Sequence, residues 1–223
     1  MFNKVIKGEF QSIPRQALRL KEMHNAKITN INCCGLKIII YPGVFDTSYD
    51  SELMAKSIEI KRSENFLEIG CGSGIVSIIL GRKAQSGVGV DINNQAVENS
   101  KENARIFKIK NVTFFKSDVF ANVKGKYNVI ASNPPYTKHD VKDDIDKMFW
   151  DPQNKMKRKF FKGAGKFLKP KGHLYFGWAN FADIDVDLPF KLARENGFKL
   201  VKVFSKTHPR NRFKLFVLEF NRK

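Results

Sequence analysis

The chain has 223 residues, with 40 Lys and Arg against 22 Asp and Glu, a formal net charge of +18 and a pI near 9.8. A hydrophobic fraction of 42% suffices for a substantial core in one domain plus an extension, and no apolar run approaches the roughly 18 residues of a membrane span. Met1 to Phe10 lacks the apolar centre of a secretory leader, and three cysteines without a disulfide framework fit a reducing cytoplasm.

Residues 1–26 form a basic amphipathic segment, helical after Pro14. Residues 27–45 read as a hairpin, Lys27 to Cys33 and Leu36 to Tyr41 joined around Gly35. Together these make an expected amino-terminal extension over 1–45, with the main domain over 46–223. A helix near 51–60 leads in. Strand 65–70, helix 74–83, strand 86–92, helix 93–108, and strands 111–116 and 126–132 then alternate as a parallel sheet requires. A basic helix over 153–168 ends at Leu168-Lys169-Pro170-Lys171-Gly172. Strand 173–178, a short helix over 188–196 closed by Gly197, and two strands over 198–205 and 213–220 complete the chain. The fold class is α/β: a Rossmann-like, seven-stranded, mostly parallel sheet with a carboxyl-terminal antiparallel hairpin and a short amino-terminal extension.

Three strand ends carry chemistry. Phe66-Leu67-Glu68-Ile69 runs into Gly70-Cys71-Gly72-Ser73-Gly74 and then an apolar helix. Glycines admit positive φ and close approach of a ligand, and the helix amino end offers free N–H groups. Asp91 ends the next strand 21 residues after Gly70, near the spacing at which a carboxylate meets ribose hydroxyls. Asp118 follows strand 111–116, placed to accept from an exocyclic adenine amine, with Val119 or Phe120 beside the ring. Asn133-Pro134-Pro135-Tyr136 follows the fourth strand. Two prolines fix φ and remove donors, so this is a stiff loop where open α/β sheets bind ligands. Asn133 supplies an amide acceptor, Pro134 a carbonyl and Tyr136 an aromatic face, a set suited to a planar amino group.

The ordered motifs LEIGCGSG, VGVDIN, KSDVF and SNPPY resemble those of class I S-adenosylmethionine-dependent methyltransferases, in the amino-methylating branch with an N-P-P-Y/F motif. That branch modifies glutamine N5, adenine N6 and guanine N2, and the resemblance runs from about Tyr41 to Phe220. It implies that Glu68, Gly70, Gly72 and Gly74 line the methionine part of the cofactor. Asp91 with Ile92 would serve the ribose, and Asp118 with Val119 the adenine. Phe45, Asp46 and Thr47 would close over the methionine moiety. Asn133 and the Pro134 carbonyl would hold the acceptor nitrogen, with Tyr136 stacked on its planar group. Eukaryote-type glutamine enzymes carry a Gly-Gly stretch after N-P-P-Y; here it reads Met148 to Asn154. The charged loop 137–146 would cap the acceptor pocket, and the charged stretch Lys138 to Lys147 is the expected mobile loop.

The implied cofactor is S-adenosylmethionine, and the implied acceptor a nucleobase of RNA (or DNA). The charge clusters supply the reason. Lys155, Lys157, Arg158, Lys159, Lys162, Lys166, Lys169 and Lys171 have no acid between them; Lys199, Lys202, Lys206, Arg210, Arg212 and Lys214 form a second cluster. Protein glutamine, a small metabolite and a catalytically silent RNA-binding module are the alternatives. A nicotinamide oxidoreductase fits poorly, because its third glycine falls at Ile75. Cys33, Cys34 and Cys71, with His24, His139, His173 and His208, show no metal-ligand spacing, and His139 reads as a solvated loop residue. Oligomeric state is not encoded legibly.

Overall fold

The computed structural model describes residues 13–46, 49–180, 185–208 and 214–223. Helix α1, Ile13–His24, precedes a two-stranded antiparallel sheet of β1, Thr29–Cys33, and β2, Leu36–Ile40. Cys34 and Gly35 join them with φ of 52° and 74°, the doubly left-handed backbone of a two-residue turn that matches strand twist. Helix α2, Tyr49–Ser57, leads to β3, Asn65–Ile69, α3, Ile75–Gly81, β4, Ser86–Asp91, α4, Asn94–Ile106, β5, Val112–Lys116, and β6, Tyr127–Ser132. Then come α5, Lys155–Phe167, β7, Leu168–Ala179, α6, Leu188–Glu195, β8, Phe198–Thr207, and β9, Lys214–Arg222.

The main sheet has the order β5-β4-β3-β6-β7-β9-β8. Neighbours from β5 to β7 are parallel, while β9 is antiparallel to both β7 and β8. This is the expected fold. The largest boundary difference is at β7. β7 starts at Leu168 because Leu168 pairs with Tyr127, and residues 169–172 bulge out before His173 resumes the ladder with Val129. Pro170 and the positive φ of Lys171, 61°, explain the bulge. Arg210 and Arg212 of the second basic cluster lie outside the described residues.

Strand alternation divides the core between two faces. Leu67, Ile130, Leu174, Phe176 and Leu218 meet Phe160, Phe161 and Leu192 of α5 and α6. Phe66, Val129, Ala131, Tyr175 and Val217 meet Met54, Ala55, Ile75 and Val76 of α2 and α3, together with Ile38 and Ile40 of β2. The Phe66 ring covers Gly87, where a Cβ would come within 2.1 Å of it. Two fully buried asparagines of α4 fasten β2 to the sheet. Asn99 Nδ2 and Asn103 Nδ2 donate to the Ile39 carbonyl at 2.9 and 2.8 Å, and Asn103 Nδ2 also donates to the Ser73 carbonyl at 2.9 Å. Their side-chain oxygens accept from Tyr41 N–H and Ile39 N–H, each at 3.0 Å. The hairpin thereby reaches the glycine loop through one buried side chain.

Candidate active site

A cavity of about 830 Å³ opens at the carboxyl ends of β3, β4, β5 and β6, the site that open parallel sheets provide. The glycine loop forms one wall. Gly70 N–H and Cys71 N–H donate to the Val90 carbonyl at 2.7 and 3.0 Å. Gly70 and Gly72 have φ of 75° and 54°, both line the cavity, and a Cβ on either would meet nothing within 4 Å. The loop is thus a cradle with room for a ligand against bare backbone. Gly74 does not line the cavity: it starts α3 with φ of 82°, and a Cβ there would lie 3.0 Å from Ser100. Its role is close packing.

Asp91 ends β4 with both oxygens aimed at loop amides. Oδ2 accepts from Gly72 N–H at 3.0 Å and Oδ1 from Asn93 N–H at 2.9 Å. Burial raises its carboxyl above the usual range, against the pull of those amides. Glu68 is buried beneath the cradle, where Ser77 donates to it through both N–H and hydroxyl. Burial pushes its carboxyl up to about 8. Asp118 is exposed and ion-paired with Lys159 of α5. Val119 beside it is buried with φ of 53°, a conformation costly for a β-branched residue and found where surroundings over-determine the backbone.

The opposite wall is the Asn133 loop. Tyr136 hydroxyl donates to Asn133 Oδ1 at 2.7 Å and lies 3.3 Å from Asp50 Oδ2. The Tyr136 ring stands edge-on to Trp178, centroids 6.0 Å apart. Burial and the Asp50 carboxylate push the phenol well above its ordinary range. A Cβ on Gly177 of β7 would come within 2.3 Å of Asn133 Oδ1, so that glycine makes space for the amide.

A roof completes the cavity. Residues 137–151 return on themselves, with Asp151 N–H donating to the Thr137 carbonyl at 2.9 Å. Gln16 of α1 accepts from Thr137 hydroxyl and from Trp150 Nε1, each at 2.9 Å. Arg19 pairs with Asp46 and lies 5.8 Å from the ring centroids of Phe45 and Phe149. Burial raises the Asp46 carboxyl, and Arg19 opposes that rise. His24 Nε2 meets Asp146 Oδ1 at 3.1 Å across 122 positions of sequence; with Asp143 they bring three ligand-type atoms within 4.8 Å of one another. His139 stacks on Trp150 with centroids 4.6 Å apart, where a solvated residue was expected.

Phe45, Asp46, Glu68, Gly70, Gly72, Asp91, Ile92, Asp118, Val119, Asn133, Pro134 and Tyr136 thus share one cavity. Thr47 lies outside the described residues. Sequence reasoning missed Gln16, Arg19, Asp50 and Trp178. Trp178 was within reach, since it ends the strand beside the one carrying Asn133; the others arrive from distant helices without a local signal. One basic residue is corrected: Lys157 is fully buried against Asp151 at 3.0 Å and belongs to no surface face. Its amphipathic helix turns that one position inward, while Lys155, Arg158, Lys159, Lys162 and Lys166 remain exposed.

Comparison with known proteins agrees with this geometry. The family model described as methyltransferase small domain matches residues 35–208. A putative protein N5-glutamine methyltransferase of Methanocaldococcus jannaschii is 42% identical over 113 residues, covering 50% of this chain and 57% of that protein. Ribosomal RNA small subunit methyltransferase C of Psychromonas ingrahamii is 30% identical over 187 residues, covering 80% and 51%. The fold is shared with a T. thermophilus 16S rRNA guanine-N2 methyltransferase solved with AdoMet and guanosine (TM-score 0.62, 20% identity, 86% of this chain and 50% of that one). The chain spans about half the length of the curated relatives it matches. Among the described residues no helix is long and apolar enough to cross a membrane.

Proposed function

We propose, for a chain that belongs to the methyltransferase small-domain family, that it transfers the methyl group of S-adenosylmethionine to a planar amino group, and that the acceptor is a nucleobase of RNA. The observation that carries the reaction is that Asn133 and the glycine cradle line one cavity. The bare backbone at Gly70 and Gly72 fits the methionine part of the cofactor. Asp91 would hold the ribose hydroxyls, and Asp118 and Val119, which line the same cavity, would meet the adenine. Phe45 and Asp46, which line the same cavity, would close the methionine end. When bound, the cofactor supplies an activated methyl on a sulfonium.

The protein's task is then to place the nitrogen in line with that methyl. The Asn133 carbonyl oxygen has two lone pairs, and Tyr136 occupies one. The other, with the Pro134 carbonyl, accepts the two N–H bonds of the acceptor. Both bonds strengthen as positive charge develops on nitrogen, which lowers the barrier. Tyr136, held between Asn133, Asp50 and Trp178, fixes the amide's orientation rather than stacking on substrate.

Charge supports the nucleic-acid reading. Lys155 and Lys159 line the cavity, and Arg158, Lys162 and Lys166 continue outward along α5, a path for a phosphate backbone. Helix α1 contributes to the roof through Gln16. The second reading is a protein glutamine acceptor, favoured by the M. jannaschii relative. A labelled-methyl transfer assay on RNA, DNA and protein fractions separates them, with Asn133→Ala as control. Label confined to RNA, lost in the variant and falling steeply with salt supports the first reading. Label in protein with a shallow salt response supports the second. Absence of cofactor binding by calorimetry overturns both.

A further inference from the structure

The turn between β1 and β2 holds two thiols that methyl transfer does not use. Cys33 and Cys34 are free, with Sγ atoms 3.8 Å apart. Cys33 is buried in the cluster with Ile38 and Met54, and Cys34 is half-buried. Cys34 occupies the first left-handed position of the turn, φ 52°. That position favours Asn, Asp or Gly, whose small or locally hydrogen-bonding side chains tolerate it. A cysteine there is held at conformational cost beside a second cysteine.

We propose that Cys33 and Cys34 form a reversible oxidation site, at which a hydroperoxide converts the adjacent dithiol into an intrachain disulfide. The Cys34 thiolate attacks the peroxide oxygen, breaking the O–O bond to give a sulfenic acid and hydroxide. The Cys33 sulfur, losing its proton, then displaces the sulfenic oxygen as water. In total, two thiols and one hydrogen peroxide give one disulfide and two waters.

The microenvironment divides the roles. The hydrogen bond from the Cys33 thiol draws Cys34 down to about 7, aided by Lys56 and Lys206, while the same pairing and burial push Cys33 up. Cys34 is therefore the attacking sulfur and Cys33 the resolving one. Consecutive Cα atoms across a trans peptide are about 3.8 Å apart, below the roughly 4.4–6.8 Å of ordinary disulfides. The eight-membered ring is accordingly strained and easily reduced, which suits a reversible modification. Cys71 is an internal control. It is buried, its Sγ meets Ser100 Oγ at 3.3 Å, and burial pushes its thiol well up.

The test is alkylation and peptide mass mapping of the whole chain after a stoichiometric pulse of hydrogen peroxide. The expected result is loss of two hydrogens from the peptide holding Cys33 and Cys34. After denaturation one alkyl group is taken up, at Cys71, in place of three, and dithiothreitol restores all three. Cys34→Ser removes the loss. Cys34→Asn, a residue the turn favours, does so in a chain whose hairpin is kept. Three alkyl groups after the pulse, a disulfide involving Cys71, cross-linked pairs of chains, or unchanged loss in Cys34→Asn would overturn the proposal.

Discussion

Replacing Gly177 with alanine tests whether Asn133 is an acceptor-side group. The added Cβ would stand 2.3 Å from Asn133 Oδ1 and 3.2 Å from its Cα, where ordinary contact begins at 3.4 Å. The amide must therefore retreat by about 1 Å. Crowding of this kind costs about 1–3 kcal/mol of stability. A 1 Å displacement of a positioning group costs on the order of a hundredfold in rate. Asp91, Gly70 and Gly72 sit at the ends of β3 and β4, away from the inserted methyl. Methyl transfer should fall about a hundredfold, with cofactor affinity by calorimetry unchanged and a lowered urea midpoint. Combined with Asn133→Ala, the substitution should cost nothing further in rate, because both act through one group. The reasoning fails if Gly177→Ala turns over at the wild-type rate, or if cofactor affinity drops in step with turnover.

Two glycines of α5 should respond oppositely to alanine. Gly165→Ala meets nothing closer than 3.4 Å and should stabilise the helix by about 0.5–1 kcal/mol, whereas Gly163→Ala puts a Cβ 2.6 Å from Phe120 and should lower the melting temperature. Lys157→Met strands the Asp151 carboxylate, which is 2% exposed, and should cost about 3–5 kcal/mol in denaturant unfolding; replacing Asp151 with asparagine in that background should recover part of it. Glu68 holds its proton up to about pH 8 when folded, against an ordinary carboxyl value of 4.5. Between those pH values the unfolded chain has released a proton that the native chain keeps, so stability falls as pH rises through this window. Glu68→Gln should flatten that slope; an unchanged slope would assign it to another group.

Most of the fold was legible because β3 to β6 are short apolar runs ending in glycine, acid or proline, and these signals are local. The lower half of the site was legible for the same reason: Gly70, Asp91, Asp118 and Asn133 each end a strand. The roof was not. Gln16, Arg19 and His24 reach partners 27 to 134 positions away, and nothing near them in sequence announces those partners. Lys157 was miscast because a charge run says nothing about which helical position turns inward. Nothing near His139 in sequence signals its stacking on Trp150, which depends on a loop that doubles back.

The roof also has a bearing on how the amino-terminal helix folds. An isolated helix of 12 residues is marginal in water, so α1 owes its helicity to the surface it rests on. Gln16, Arg19 and His24 are at once its anchors and the closure of the cavity. The contacts that order α1 are therefore the same contacts that hold residues 137–151 over the cavity, so the helix and that wall stand or fall together.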